Sequence, residues 1–189
     1  MSPRELHGPC PNVVPGMAPV AAVLDRTEQT VVAVTGIRAY PAGFGFTLHL
    51  RLRDIRRRHG REFWPFHELG PHRRPPWPDE VLRLTVQFAD GRSVSILDTP
   101  TGEAPDPDRP RISSGPGTGG GVDGWSFDME YRVRPLPPPG PLAFICTWPG
   151  RGIPTSRMEV DGGAIRAAAG AAVTLWPDDP YCGDDCRRK

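Results

Sequence analysis

The stretch WSFDMEYRVR, residues 125–134, decides the fold class of this chain. Every second residue from Trp125 to Val133 is apolar or aromatic, and every residue between them is polar or charged. A period of two places neighbouring side chains on opposite faces of an extended strand. The stretch therefore predicts a β-strand with one face in a core and the other towards solvent.

The same alternation recurs on both sides of this stretch. Upstream it appears in residues 32–35, 44–53, 82–88 and 94–96, and downstream a near-continuous apolar run covers residues 142–148. Strands separated by turn signals are typical of a sandwich or barrel. We expect a mainly β fold, an antiparallel β-sandwich of about six to eight strands with long Pro/Gly-rich loops.

One alanine-rich segment interrupts the strand pattern near the C-terminus. Alanine favours helix over residues 164–172, although Gly170 weakens it by about 1 kcal/mol. Asp161 can cap the start of such a helix. We predict one short C-terminal helix near residues 162–173.

Two hairpins have predictable loops. Pro41, Ala42 and Gly43 predict a three-residue loop that sets Val34 opposite Leu50, with a bulge at Gly36 to keep the apolar faces together.

In the second hairpin, a two-residue loop at Asp90 and Gly91 would bury serines against the core. A three-residue loop that includes Ala89 instead opposes Val86 to Val94 and requires a positive φ at Gly91.

The inward positions of these strands predict the core. It comprises Val34, Phe46, Leu48, Leu50, Leu84, Val86, Val94, Ile96, Phe127, Met129, Tyr131, Phe144 and Cys146.

The chain of 189 residues has room for a single domain. Residues 1–24 lack periodicity, so we predict a loose or edge-lying N-terminal arm over residues 1–29, with the sandwich over residues 30–177. Within it, residues 99–124 predict a flexible surface loop, because their Pro, Gly and acidic residues bury little. Residues 178–189 predict a charged tail.

The composition of the chain bears on its cellular compartment and on the class of partner that it binds. The longest apolar run near the start, residues 20–24, is too short for a secretory signal or a membrane helix, so we expect a cytoplasmic protein with no membrane contact. The net charge of +1 argues against a globally basic nucleic-acid binder. Lys189 is the only lysine, a bias that a GC-rich genome explains.

An arginine- and aromatic-rich segment carries the main functional signal. Residues 51–74 hold eight arginines against three acidic residues, a net charge of +5. The segment falls in an excursion of about 25 residues between two hairpins, and connections of that length are usually functional or disordered. The candidate binding surface comprises Arg56, Arg57, Arg58, Arg61, Trp64, Phe66, Arg73, Arg74 and Trp77.

Three interpretations of this segment stay open. Arginine with tryptophan is typical of a hot spot for a protein partner. The same mixture binds phosphates and unstacked bases of nucleic acid. The plainest interpretation is a solvated loop in an arginine-biased chain.

Tryptophan precedes proline at four positions. Because a residue before proline is restricted to extended conformations, each Trp-Pro pair favours the end of a strand. Such rings could form a binding platform at the rim of the sheet, but more often they plug the ends of a sandwich, and we favour the second interpretation. The positions are Trp64, Trp77, Trp148 and Trp176.

The cysteines do not predict a metal site. Cys146 lies in an apolar strand and is a buried small hydrophobe. Cys10, with His7, could supply zinc ligands together with Cys182 and Cys186 if the termini met. The residues between them match no zinc-binding pattern, so we expect no metal and either free thiols or a labile Cys182–Cys186 disulfide.

Enzyme motifs are absent from the sequence, including the nucleophile elbow, the Walker loop, the zinc-protease helix and the dinucleotide fingerprint. No cofactor is therefore predicted. His49 lies on an outward strand face and could approach Asp54, Glu130 or Ser95.

Three strings carry a resemblance to a known group. QFADGR (residues 87–92), PLPPPGPL (residues 135–142) and the pair Trp148-Pro149 resemble a group of uncharacterised actinobacterial proteins over about residues 30–177. The resemblance implies no catalytic residue and no ligand.

The sequence favours a non-enzymatic protein-interaction module that uses the Arg/aromatic loop. The alternative is an arginine-mediated nucleic-acid binding protein, and an unrecognised enzyme is the third hypothesis.

Overall fold

The structure is a computed structural model that describes residues 12–53, 81–98, 106, 108–120 and 124–176. In chain order its elements are β1 (Val13–Val14), β2 (Gly16–Arg26), β3 (Thr30–Tyr40), β4 (Gly43–Leu52), β5 (Arg83–Gln87), β6 (Ser93–Ser95), β7 (Arg111–Gly120), β8 (Trp125–Arg134), β9 (Pro141–Trp148), β10 (Ile153–Asp161), α1 (Gly162–Gly170) and β11 (Val173–Thr174). A single 3₁₀ turn, Pro149–Arg151, connects β9 to β10.

Antiparallel sheets build the fold, which confirms the predicted mainly β, sandwich-like architecture. The larger sheet has the strand order β2-β3-β4-β8-β7, and a four-stranded sheet has the order β10-β9-β5-β6. The short strands β1 and β11 pair separately. Every neighbouring pair of strands is antiparallel.

Aromatic rings join the two main sheets through the core. Phe46 of β4 meets Phe144 of β9 edge to face, with 5.1 Å between ring centroids. Phe46 also stacks on Tyr131 of the neighbouring strand β8 at 5.6 Å. All thirteen predicted core residues are buried, so the inward positions are confirmed.

The predicted helix is confirmed, and it is shorter than expected. The Asp161 side chain accepts a hydrogen bond of 2.7 Å from the Gly163 amide and caps α1. The helix ends at Gly170 because the chain turns there, and Val173 pairs with Val14. Among the described residues, no helix has the length and apolar character that crossing a membrane requires.

The loop of the first hairpin is one residue shorter than predicted. Tyr40 pairs with Gly43, so the loop has two residues, and Val34 faces Leu48 instead of Leu50. The predicted bulge is confirmed, because the register shifts between Thr35 and Arg38. Gly36 has a φ of 62°, a conformation that glycine adopts readily.

The second hairpin matches the prediction. Val86 pairs with Val94. Gly91 has a φ of 86°, and its amide donates to the Phe88 carbonyl at 3.0 Å.

A loose arm is wrong for residues 12–29, where the chain forms β1 and β2; β2 is an edge strand of the five-stranded sheet, which agrees with the edge-lying alternative. Ala18 and Leu24 of β2 are buried, and the strand pairs with β3 along its length. Two register irregularities, after Ala18 and after Val23, break the period of two. That interruption hides the strand in the sequence, and residues 1–11 lie outside the described part of the chain.

The flexible loop predicted over residues 99–124 is wrong for Arg111–Gly120, which forms the edge strand β7 against β8. Glycine gives this strand an inner surface without side chains. A Cβ atom at Gly119 would lie 2.6 Å from the Phe127 ring. The strand is held by backbone pairing and covered by its neighbour's side chains, so it has no apolar pattern of its own.

Candidate binding surface on the outer face of the five-stranded sheet

The outer face of the five-stranded sheet is the side that points away from the other sheet. Ala33, His49 and Asp128 lie side by side across β3, β4 and β8. Further along the sheet, Arg38, Gly45 and Arg132 form an equivalent row. The polar residues of three alternating strands therefore meet on one surface.

One end of this face forms a surface that we call the arginine trough. It consists of Arg38 and Tyr40 of β3, Gly43 and Gly45 of β4, and Arg132 and Arg134 of β8. The two glycines leave the middle strand without side chains. A Cβ atom at Gly43 would lie 2.4 Å from the Val133 carbonyl oxygen and 2.9 Å from Arg134 Cγ, so no larger residue fits there without movement.

Positive charge is concentrated in the arginine trough. Arg38 forms an ion pair of 3.0 Å with Glu130. Burial lowers the pKa of the Arg132 guanidinium, Tyr40 and Glu130 oppose this, and the positive charges of Arg38 and Arg134 lower it further. Among the described residues, Arg132 forms neither a hydrogen bond nor an ion pair. Its guanidinium is therefore partly desolvated without an ion pair to compensate among those residues.

Tyr40 is the aromatic member of the trough. Burial raises the pKa of its hydroxyl above the ordinary value, although the charges of Arg38 and Arg132 oppose this. Its ring packs against Val13 and Ala172. The hydroxyl therefore stays protonated and can donate to an anion.

A second polar cluster lies further along the same face. His49 Nδ1 is 2.7 Å from Asp128 Oδ1, and His49 Nε2 is 2.6 Å from Thr35 Oγ1. Arg51 Nη1 donates to the same carboxylate oxygen at 2.6 Å. A carboxylate only accepts, so Nδ1 carries the proton between them. In the tautomer protonated at Nδ1 alone, Nε2 accepts from the Thr35 hydroxyl.

The carboxyl group of Asp128 is acidic in this cluster. Burial alone would raise its pKa, but the hydrogen bonds from Arg51 and His49 outweigh burial and lower it. Asp128 therefore stays ionised at neutral pH and orients the imidazole. Hydroxyl, imidazole and carboxylate then stand in the order of an acyl-transfer triad.

The partners expected for His49 were mostly wrong. Glu130 is engaged by Arg38, Ser95 belongs to the other sheet, and Asp54 lies outside the described residues. Asp128 was missed, although it occupies an outward position of the most regular strand. The signal that could have found it is the β4–β8 register, which joins residues 79 positions apart.

The predicted Arg/aromatic surface lies outside the described residues, which resume at Val81 after Arg53. It stays a prediction for all nine residues: Arg56, Arg57, Arg58, Arg61, Trp64, Phe66, Arg73, Arg74 and Trp77.

The tryptophans before proline divide into two groups. Trp148 is fully buried and plugs the sandwich as predicted. Trp176 is 64% exposed, so that prediction is wrong there: Trp176 follows the short strand β11 and is held at its backbone by Asn12. Trp64 and Trp77 fall outside the described ranges.

Cys146 is buried, as predicted, and burial raises the pKa of its thiol to about 12. Within the described ranges, no group of three or more His, Cys, Asp or Glu residues could hold a metal ion. His7, Cys10, Cys182 and Cys186 fall outside those ranges.

Comparison of the chain with protein-family models, with curated proteins and with solved structures finds no significant match in any of the three.

Proposed function

We propose that this chain is a non-enzymatic binding module that holds an acidic segment of a partner protein in the arginine trough. The observation that carries the proposal is the partly buried Arg132 guanidinium, which lies between Arg38 and Arg134 without a partner among the described residues. A partly desolvated guanidinium gains binding free energy from a carboxylate, because its forked N–H donors match the two carboxylate oxygens.

The surroundings of the trough favour a protein partner. Tyrosine and arginine are enriched where proteins bind one another. Met17 pairs with Arg38 across β2 and β3, and it is 62% exposed. An apolar contact beside the charged trough suits a peptide that carries both apolar and acidic side chains.

The Arg/aromatic segment remains a second contact in this proposal. It follows β4 directly in the sequence, and Arg51 near the end of that strand lies on the same outer face.

The test uses a fluorescent peptide with several Glu residues and the full-length chain. We expect Arg132→Gln to weaken binding by about tenfold, which corresponds to about 1.4 kcal/mol. The matched control is Arg157→Gln on the outer face of the other sheet, where Arg157 pairs with Gln87 and Glu159. Equal binding by the two variants would remove the trough from the proposal.

The nucleic-acid alternative is tested in the same assay. A single-stranded oligonucleotide that displaces the peptide and binds more tightly than it would replace the proposed partner. Its affinity would fall steeply with salt, because bound counterions are released when arginines neutralise phosphates.

A second candidate function, acyl transfer, is favoured by the Thr35–His49–Asp128 chain. Thr35 Oγ1 would attack an ester carbonyl while its proton passes to His49 Nε2, and that proton then leaves with the alcohol. Water would attack the acyl-threonine next, give up a proton to His49, and release the acid and the threonine hydroxyl.

The test of this candidate is a burst of p-nitrophenolate from p-nitrophenyl acetate, with acetyl-Thr35 found by mass spectrometry. Thr35→Ala should abolish both signals, and Thr47→Ala, at a neighbouring outward position, should retain them. A wild-type chain without burst and adduct would reject acyl transfer at this site.

A further inference from the structure

We propose that two copies of this chain associate through the outward face of the two-stranded ribbon formed by β1 and β11. This face, which we call the ribbon patch, consists of Val14 of β1, Val173 of β11, and Leu175 and Trp176 directly after β11. The ribbon patch shares no residue with the arginine trough, so the association does not depend on the proposed function.

Exposed apolar side chains are concentrated at the ribbon patch. The described residues expose eight large hydrophobic side chains, and four of them are its members. Val14 pairs directly with Val173, and the Leu175 amide donates to the Asn12 carbonyl at 2.9 Å. The Asn12 side chain also binds the amide and the carbonyl of Trp176. These backbone contacts hold the four side chains next to one another.

The opposite face of the ribbon has little support of its own. Val13 and Ala172 are buried there and pack against Tyr40, in a cluster separate from the main core. A two-stranded ribbon is only marginally stable in water unless further strands or packing cover it. A second copy over Val14 and Val173 would cover the remaining face, at the spacing of about 10 Å that stacked sheets adopt.

The size of the ribbon patch suits the centre of an interface. Its exposed fractions range from 44% for Leu175 to 64% for Trp176. The exposed area of the four residues is on the order of 400 Å² per copy, so two copies would bury on the order of 800 Å² from them alone. A standard interface buries about 1,600 Å², with an apolar centre and a polar rim.

The absence of charge favours a second copy as the occupant. No residue in 12–24 or in 167–176 is charged, although 24% of the chain is. A two-fold dimer places the same surface on both sides of the interface, so a charge near the axis faces its own copy. A neutral apolar surface has no such conflict and is complementary to itself.

The adjoining ends of the chain are poorer covers for an apolar surface. Residues 177–189 contain seven charged residues among thirteen, and residues 1–11 contain only Met1 and Leu6 as large aliphatic residues. Charged side chains would lose hydration against Val173 and Trp176 without gaining a partner there.

The experiment measures association of the full-length chain by sedimentation equilibrium at several concentrations near neutral pH. We expect a monomer–dimer equilibrium with a dissociation constant on the order of 10 μM, because the apolar centre is small. A wild-type chain that stays monomeric at about tenfold higher concentration overturns the proposal.

A matched pair of substitutions assigns the dimer to the ribbon patch. Val173→Asp brings two unpaired carboxylates into the apolar interface and should weaken dimerisation by at least about tenfold. The control is Val23→Asp on β2, because Val23 is 52% exposed and Val173 is 55% exposed. The control should dimerise as the wild-type chain does. Equal weakening by the two variants, or none by Val173→Asp, overturns the assignment.

The melting temperature of each variant checks that it folds. If Val173→Asp melts much lower than the wild-type chain, Trp176→Ala is the second variant. The ring of Trp176 is exposed, and the contacts with Asn12 involve only the Trp176 backbone. Trp176→Ala should also weaken dimerisation by about tenfold, because Trp supplies a large share of the energy of interfaces that contain it.

Salt supplies an independent readout. Salt screens ion pairs but not the burial of apolar surface, so the dimer should be no weaker in about 0.5 M sodium chloride. A dimer that dissociates as salt is raised would be held by charged side chains and would overturn the proposal.

Other occupants of the ribbon patch give other results. A monomeric wild-type chain in which Val173→Asp melts lower than Val23→Asp would show that residues of the same chain cover the patch. A monomeric wild-type chain in which the two variants melt alike would leave the patch to a different protein. Both results overturn the dimer.

Discussion

The two faces of the five-stranded sheet share their strands but differ in the interactions that they make. On the inner face, Phe46 is fully buried and contacts rings from its own sheet and from the opposite one. On the outer face, Arg38 and Glu130 form an ion pair that remains accessible to water. Burial stabilises through the area removed from water, whereas exposed ion pairs contribute about 1 kcal/mol or less.

This difference assigns most of the stabilising contacts of the sheet to its inner face. The inner face holds the two sheets together, and its residues have no access to a partner. The outer face contributes less to folding, and its charged side chains remain partly exposed to water. Substitutions on the two faces should therefore have different consequences.

The largest effect is expected from Phe46→Ala. Loss of this ring removes its contact with Phe144 of the opposite sheet and leaves a cavity, at a cost of about 3–5 kcal/mol. The measurement is the free energy of unfolding by chemical denaturation. The matched control is Thr47→Ala, the next residue on the outer face, which should change stability by less than about 0.5 kcal/mol. Equal losses would break the separation of the two faces.

A smaller effect is expected from Gly43→Ala in the arginine trough. The new methyl group would lie 2.4 Å from the Val133 carbonyl oxygen, so β4 and β8 must shift. Overpacking of this kind costs about 1–3 kcal/mol.

Gly120→Ala on β7 is the control for Gly43, because a Cβ atom there meets nothing within 4 Å. The melting temperatures of the two variants are compared by thermal unfolding. If Gly43→Ala is as stable as Gly120→Ala, the close approach of Val133 does not constrain the trough.

Asp128→Asn should have a small effect that depends on pH. The pKa of Asp128 is lowered in the folded chain, because the hydrogen bonds from Arg51 and His49 outweigh burial. Its contribution to stability is therefore present above the unfolded value near 3.9 and is lost as the pH falls through the folded value. The carboxylate is 37% exposed, so solvent screening limits the contribution to about 1 kcal/mol or less.

The measurement for Asp128 is the free energy of unfolding of the wild-type chain and of Asp128→Asn at several pH values. The difference between them should be largest near neutral pH and should shrink in acid, below about pH 4. A difference that grows on acidification would contradict the lowered pKa.

The reactivity of the Cys146 thiol tests the burial of the inner face without any substitution. This thiol is buried and has a pKa of about 12, so almost no thiolate is present near pH 8. An iodoacetamide pulse followed by peptide mapping should label Cys146 after denaturation and leave it unlabelled in the folded chain. Labelling at similar rates in both states would show that the core opens readily around β9.

Patterns in the sequence identified the core more completely than the candidate site. Phe127 and Met129 alternate with polar neighbours, so their burial follows from the strand alone. The strand β7 was missed because its glycines and small polar residues show no alternation of apolar and polar side chains. It is held in the sheet by its backbone pairing with β8. The arginine trough was missed because its members come from strands that are distant in sequence.

In the strands that alternate regularly, the sequence alone is enough to assign the inward residues, because the period of two within a strand is a local property. It also determined the cap at Asp161 and the turn at Gly91, where one residue sets the local conformation. Only the tertiary structure decided which outward residues meet. Pairing of β3, β4 and β8 brings Arg38 to the same end of the sheet as Arg132, and the bulge at Gly36 sets their alignment. Such contacts depend on register between distant strands, which no single strand specifies.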